Sequence, residues 1–495
     1  MAMTPFALSA ALSTWGGRLY PASLVDTGAA LVALARVEGR KILVQASVQA
    51  AGLPPGFDGE IRPATGTAIR LCPLTHENAV ALRRLLPWAA PVSLSNRRTT
   101  IGCGDRLGRA TPGHVRAVRQ FAASPVLAQQ SMRELTLTRR TYENVVDDVT
   151  FLVLQEGYRA GYGADGDHLK TLRDIGVAVD AGMAMITLDL TEKMNAAAEN
   201  WTPAAVEAAF AELPEAVRRR VIDTYADRAF DVDGGVVTID GLEARRCAVM
   251  YLAAMDFAGE AYALLQQRRG DAFDLEISID ETKAPTLPAH HLFIIRELLY
   301  RDIVVSSLAP RFIGEFQKAI DYIGDLAEFE HQFKLHCAIA KAYGDYKISI
   351  HSGSDQFAVY PIIGRTTQHR VHVKTAGTSW LEAVRAIAVA DPGLYRRLHA
   401  RAFEVLPEAL KLYHITPDLT TIPALATLKD SELPALMELD AARQLLHVTY
   451  GGLLGDPAIG PAFLAALDAG EEVYYRGVER HFVRHLRALG LEAAG

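Results

Sequence analysis

From residue 99 to residue 416, short β-branched runs ending in polar residues alternate with helical stretches, and this rhythm limits the fold more than any other feature. The runs are TTIGCGD (99–105), AGYGADGDH (160–168), AMITLDL (184–190), FDLEISIDE (273–281), DIVVSSLA (302–309), YKISIH (346–351), RVHVKTAG (370–377) and KLYHIT (411–416). Eight strands interleaved with helices predict an α/β protein built on a (β/α)8 TIM barrel. A doubly wound parallel sheet is the runner-up, because it also gathers polar residues at strand ends, though at fewer strands. Asp105, Asp167, His168, Asp189, Glu281, His351 and Lys374 all stand where strands finish, the end of a barrel that carries chemistry.

A barrel does not need all 495 residues. Residues 1–90, with β-rich RKILVQA and TAIRLCPL around the turn GLPPGFDG, read as a small α+β accessory domain, and residues 91–430 as the catalytic barrel. Within the barrel, 191–270 looks helical, with Thr202 and Pro203 as cap and first-turn proline. It is expected to be an insertion in one βα-loop, able to act as a lid. Residues 431–495 are expected to be helices packed on the barrel.

A net charge of −7 argues against a nucleic-acid partner. Cys72, Cys103, Cys247 and Cys337 form no CxxC pair, so a reduced, cytoplasmic setting is expected. The opening MAMTPFALSAALSTWGG lacks the basic and long apolar regions of a signal peptide. No run approaches the roughly 18 apolar residues of a membrane span. The expected partner is therefore a small molecule, without nucleic acid or membrane, and homo-oligomerisation is left open.

Five stretches carry candidate chemistry. GYGADGDHLK closes a glycine-rich strand with Asp165, Asp167 and His168, an imidazole beside carboxylates that suits a divalent metal with a neighbouring acid or base. An Asp/Gly turn without a ligand is the plainer reading. KISIHSGSD puts Lys347, Ser349 and His351 on one strand face, and Ser352 and Asp355 follow as a polar cradle for a polyhydroxylated or anionic ligand. With His168, His351 makes a metal pair. In DLEISIDET, parity places Glu276, Ser278 and Asp280 opposite Leu275, Ile277 and Ile279, with Glu281 at the strand exit as an acid/base partner for Asp167. In SLAPRFIGEFQK, Arg311 and Lys318 can hold a carboxylate, and Glu315 or Gln317 can complete a metal site. Lys374, before Thr375, Gly377 and Thr378, offers a further anion site. GCGDRLG is a weak match to a dinucleotide loop, because the acid expected about 20 residues on is missing.

Taken together, GCGDRLGRATPGH, GYGADGDHLKT, ISIDETKAPT, SLAPRFIGEFQKAIDYIGD, YKISIHSGSDQFAVYPI and HVKTAGTSWLEA resemble the signature blocks of the tagaturonate/fructuronate epimerases over residues 100–415. That resemblance implies a metal-dependent uronate C4-epimerase on a TIM barrel, using a divalent cation (Zn, Mn, Co or Ni) and a hexuronate substrate. It implies Asp167 as proton acceptor, an ISIDET acid (Glu281) as proton donor, and His168 and His351 as metal ligands. A further ligand is implied in GEFQK, with Glu315 and Gln317 both open. The C4 hydrogen is not α to the C2 ketone, so retro-aldol cleavage and re-addition is the expected chemistry. A metal-dependent sugar aldolase or isomerase, or a non-catalytic uronate-binding protein, are the alternatives.

Overall fold

The computed structural model describes residues 4–64, 67–282, 284–375 and 377–493. Eight parallel strands close on themselves: β1 Thr99–Gly104, β2 Ser124–Ser131, β3 Gly163–Leu169, β4 Met185–Asp189, β5 Asp274–Ser278, β6 Ser307–Ala309, β7 Lys347–Ile350 and β8 Val371–Thr375. Val371 pairs with Thr99 to shut the barrel. The outer ring is α1 Thr111–Val118, α2 Tyr142–Glu156, α3 Leu172–Asp180, α4 Gly241–Arg269, α5 Pro288–Tyr300, α6 Leu326–Ala342, α7 Tyr360–Thr366 and α8 Thr378–Ala390. The chain thus forms the expected (β/α)8 barrel.

One strand of the eight differs from expectation. Residues 411–416 are not a strand: Leu412, Tyr413 and His414 line the barrel mouth instead. The vacant place is filled by SPVLAQQS, whose opening proline and paired glutamines hide the β-period. Proline is tolerated there because it stands second, at the N-terminal end of the strand.

The barrel inverts the usual apolar filling. Alternation turns Ile186, Leu188, Leu275, Ile277, Ile348, Ile350, Val371 and Val373 into the buried core shared with the helices. The other parity sends Asp165, Thr187, Glu276, Ser307 and Lys374 inward, where they meet in one hydrogen-bonded layer. Charges survive there because each has a partner.

The segment expected to be wholly helical, 191–270, contains a hairpin, Arg228–Val232 paired with Gly235–Ile239. Its last and longest piece, α4, is a barrel helix packed between α3 and α5. An 18-residue window of α4 has mean hydropathy 1.3, long and apolar enough to cross a membrane by composition, and its apolar side faces the barrel core. Among the described residues, none of 191–240 lines the cavity at the barrel mouth. Ahead of the barrel, a six-stranded antiparallel sheet packs with helix His76–Leu85 against Phe151 and Leu154 of α2. After it come α9 Pro392–Ala409, α10 Asp440–Val448 and α11 Glu471–Ala488.

Candidate active site

The C-terminal strand ends open into a cavity of 630 Å³ whose walls include Gln129, Arg133, Asp167, His168, Lys170, Asp280, Glu281, Lys318, His351, Ser352 and Lys374. At its floor Lys374 is buried, its ammonium 2.8 Å from Asp165, 2.8 Å from Asp167 and 2.9 Å from Glu276. It also donates to the Thr187 hydroxyl. Burial disfavours the charge on Lys374, but the three carboxylates outweigh it and hold its pKa well above the usual lysine value. Asp165 responds the other way: burial pushes its carboxyl up to about 6, against the pull of Lys374. Lys374, expected to bind an external anion, is thus saturated by protein carboxylates.

His168 and His351 face each other with ring centroids 4.8 Å apart. Each has one nitrogen committed outward. His168 Nδ1 lies 2.8 Å from Asp167 Oδ1, and His351 Nε2 lies 2.6 Å from Glu276 Oε1. Their other nitrogens converge on Asp280: His351 Nδ1 at 3.0 Å and His168 Nε2 at 3.6 Å from Oδ1. Ligand atoms of His168, Asp280 and His351 all lie within 4.8 Å of one another. A carboxylate behind each imidazole is the arrangement that fixes tautomer and ring orientation in metal sites. Two nitrogens and one oxygen suit a borderline divalent ion and leave positions open for substrate.

The charges fit the same reading. Burial opposes protonation of both rings, yet Asp167 beside His168 and Asp280 beside His351 raise both pKa values. Asp280 in turn is held well below the usual carboxylate range by His351 and His168, against burial. Positive charge is favoured at this point, and a cation can supply it in place of the ring protons. His168 has φ +57°, a left-handed conformation that is strained for a non-glycine residue. That twist breaks strand alternation, so Asp167 and His168 both reach the mouth.

Asp167 uses Oδ1 for Lys374 and His168, and among the described residues Oδ2 has only a long 3.4 Å contact from Gln129 Nε2. Gln129 can lie there because residue 102 is glycine: a Cβ would stand 1.8 Å from its Oε1. The glycine of GCGDRLG therefore serves close packing. Glu281 is partly exposed, 3.4 Å from Arg133 and 3.8 Å from Lys170. Lys318 Nζ donates to Ser352 Oγ at 2.7 Å and has no carboxylate partner among the described residues. Burial lowers its pKa.

Other expected residues lie elsewhere. Arg311, Glu315 and Gln317 line an adjoining cavity of 260 Å³ that shares Asp280, His351 and Ser352 with the first. Arg311 donates to the Thr282 carbonyl, and Gln317 is engaged by Glu315, Thr416 and Gln444. Asp355 lines neither cavity: its carboxylate binds Arg443 of α10 at 2.7 Å, and its N–H donates to His485 of α11 at 3.0 Å. Arg443 also donates to the Ala319 carbonyl at 2.8 Å, tying the Lys318 loop to the loop after His351. The tail therefore buttresses two walls of the site. Residues not singled out as ligands or anchors include Asp280, Glu276 and Gln129. For the first two the strand parity of DLEISID carried the signal; for Gln129 nothing did.

A closed parallel barrel with acids, side chains able to hold a metal and a lysine without a carboxylate partner among the described residues, all around one mouth, defines a (β/α)8 enzyme. The comparisons with known proteins narrow the class. A family model described as UxaE, tagaturonate epimerase, matches residues 20–489. The chain is 39% identical over 476 residues to the tagaturonate/fructuronate epimerase of Thermotoga maritima, covering 96% of this chain and 97% of that protein. The native crystal structure of fructuronate-tagaturonate epimerase UxaE from Cohnella laeviribosi superposes with a TM-score of 0.93 at 44% identity, covering 99% of this chain and 100% of that one. A glycerol complex of the same epimerase gives 0.92 at 44% identity, covering 97% and 98%. The chain belongs to the tagaturonate epimerase family, and it is an isomerase of the carbohydrate-epimerase class.

Proposed function

We propose that this enzyme interconverts D-tagaturonate and D-fructuronate at C4, using a divalent cation held by His168, Asp280 and His351. The observation that carries the reading is the pair of carboxylate-backed imidazoles converging on Asp280, beside an Asp167 with one oxygen to spare. Glu315 and Gln317 both line the adjoining cavity that shares Asp280 and His351, so the GEFQK block stands beside the cation site. A bound cation supplies Lewis-acid polarisation of the C2 carbonyl.

Asp167 Oδ2 takes the proton of the C4 hydroxyl, the C3–C4 bond breaks, and its electron pair passes to C3 and the C2 oxygen as an enediolate. C4 becomes the aldehyde of a three-carbon fragment, which rotates and is attacked by C3 on its other face. Glu281 gives a proton to the new C4 oxygen, and solvent carries the proton of Asp167 back to Glu281. The long contacts of Arg133 and Lys170 let them turn from Glu281 to the incoming substrate. Lys318 with Ser352 holds the uronate carboxylate, since it is a half-buried cation without a carboxylate partner among the described residues. Lys318→Met is expected to raise KM for uronates about 10–100-fold with a smaller effect on kcat, as for loss of one charge-assisted contact. Unchanged KM would remove Lys318 from the carboxylate site.

The deciding experiment incubates D-tagaturonate with chelator-stripped protein, with and without Mn, Co, Ni or Zn, and reads the sugars by NMR. Metal-dependent appearance of fructuronate is expected, with deuterium at C4 retained and a three-carbon aldehyde trapped. Equal conversion without metal would overturn the cation, and loss of C4 deuterium would overturn the cleavage. Net release of fragments would mark an aldolase, and ligand binding without conversion a binding protein.

A further inference from the structure

We infer that Glu243, Cys247 and His290 form a second divalent-metal site, structural in role and suited to zinc, that clamps α4 to α5 away from the barrel mouth. It shares no residue with the His168–Asp280–His351 group and does not rest on the proposed reaction. Helix α4 places Glu243 and Cys247 one turn apart on a single face, and α5 brings His290 against them. One ligand atom from each lies within 4.8 Å of the other two. His290 is 1% exposed and Cys247 is fully buried. Glu243 Oε1 is in contact with His290 Nε2 and lies 4.0 Å from Cys247 Sγ, the only hydrogen-bond partner the thiol has among the described residues.

A second observation points to a metal rather than to a simple ion pair. The other nitrogen of His290 is already occupied: Tyr251, one further turn along α4, sets its hydroxyl 2.9 Å from Nδ1, with Glu199 at 3.8 Å. Tyr251 thus holds the outer nitrogen and leaves Nε2 facing Glu243, where a bound cation would take the place of its proton, as outer partners arrange in metal centres. Arg246 stands 3.4 Å from Glu243 and offsets part of the negative charge that a thiolate and a carboxylate would bring. Sulfur, imidazole and carboxylate together select zinc over hard, oxygen-seeking ions. A 590 Å³ cavity lined by Glu199, Tyr251 and His290 adjoins the cluster on the side away from Glu243 and Cys247. The cavity is also bounded by Glu281 and Thr282. On binding, the Cys247 thiol loses its proton to solvent and the thiolate binds the ion.

The test adds cobalt(II) to chelator-stripped full-length protein and follows the sulfur-to-cobalt charge-transfer absorption, which a nitrogen–oxygen site cannot produce. The band should saturate at one equivalent per chain once the mouth site is removed by His351→Ala, survive His168→Ala and Cys337→Ser, and vanish in Cys247→Ser. Should Cys247→Ser not fold, Glu243→Gln is expected to weaken the cobalt affinity read from the band at least about 10-fold. Absence of the band at excess cobalt, its survival in Cys247→Ser, or unchanged affinity in Glu243→Gln would each overturn the site.

Discussion

Lys374→Met is expected to cost about 3–5 kcal/mol of stability at neutral pH, the usual consequence of removing one member of a buried ionic group. The reason is local. Asp165, Asp167 and Glu276 all lean on the one ammonium, and without it only His351, 2.6 Å from Glu276, and His168, 2.8 Å from Asp167, would offset three buried carboxylates. Unpaired in a dry layer, those carboxyls rise in pKa. A folded-state acid with a raised pKa contributes stability that is present at low pH and lost as pH rises through that pKa. Asp165, already pushed up to about 6 by burial, shows the direction. The deficit of the variant should therefore shrink as pH falls from 7 toward 5, read as a converging pair of urea midpoints. Turnover should fall by at least about 10²-fold, since Asp167 and the Glu276 anchor of His351 both lose their register. A variant as stable as the parent, with only a raised KM, would instead make Lys374 the holder of the substrate carboxylate.

The same layer explains which parts of this protein could be read from its sequence. The barrel was legible because period-2 strands ending in Asp, His, Glu or Lys recur through the chain. The faces were legible too: the parity that sets Glu276, Ser278 and Asp280 against Leu275, Ile277 and Ile279 is the parity the barrel uses. Choosing between neighbours was not. Asp280 reaches His351 and Glu281 does not, because one residue of strand exit decides which carboxylate turns inward. Lys374 looked like an anion site because its three carboxylates come from two other strands, distant in sequence. The paired glutamines of SPVLAQQS concealed a strand whose Gln129 reaches Asp167. The HSGSD stretch after His351 holds Ser352 at φ +49° and Asp355 at φ +65°. Asp355 is held by Arg443 and His485, which lie 88 and 130 positions away from it, beyond the reach of any local pattern.

Asp167→Asn separates the two tasks given to that side chain. As the carboxylate behind His168, it fixes the ring so that Nε2 faces Asp280. As the owner of a nearly free Oδ2, it is placed to take the C4 hydroxyl proton. Burial would raise its pKa, but Lys374 and His168 hold it well below the usual carboxylate range, so it is ionised throughout the working pH range. An asparagine of the same shape keeps an oxygen for the His168 N–H and cannot accept a proton. Cation affinity is then expected to weaken about 10–100-fold, the typical cost of losing a partner behind a metal ligand. At saturating metal, kcat should remain down by about 10²–10⁴, the usual contribution of a positioned base, with KM little changed. Both directions of epimerisation must fall by the same factor, because kcat/KM forward and reverse are tied by an equilibrium constant no variant can alter. If excess metal restored kcat to within about 10-fold of the parent, Asp167 would be a positioning residue only, and the proton would have to leave the C4 hydroxyl through another group lining the cavity.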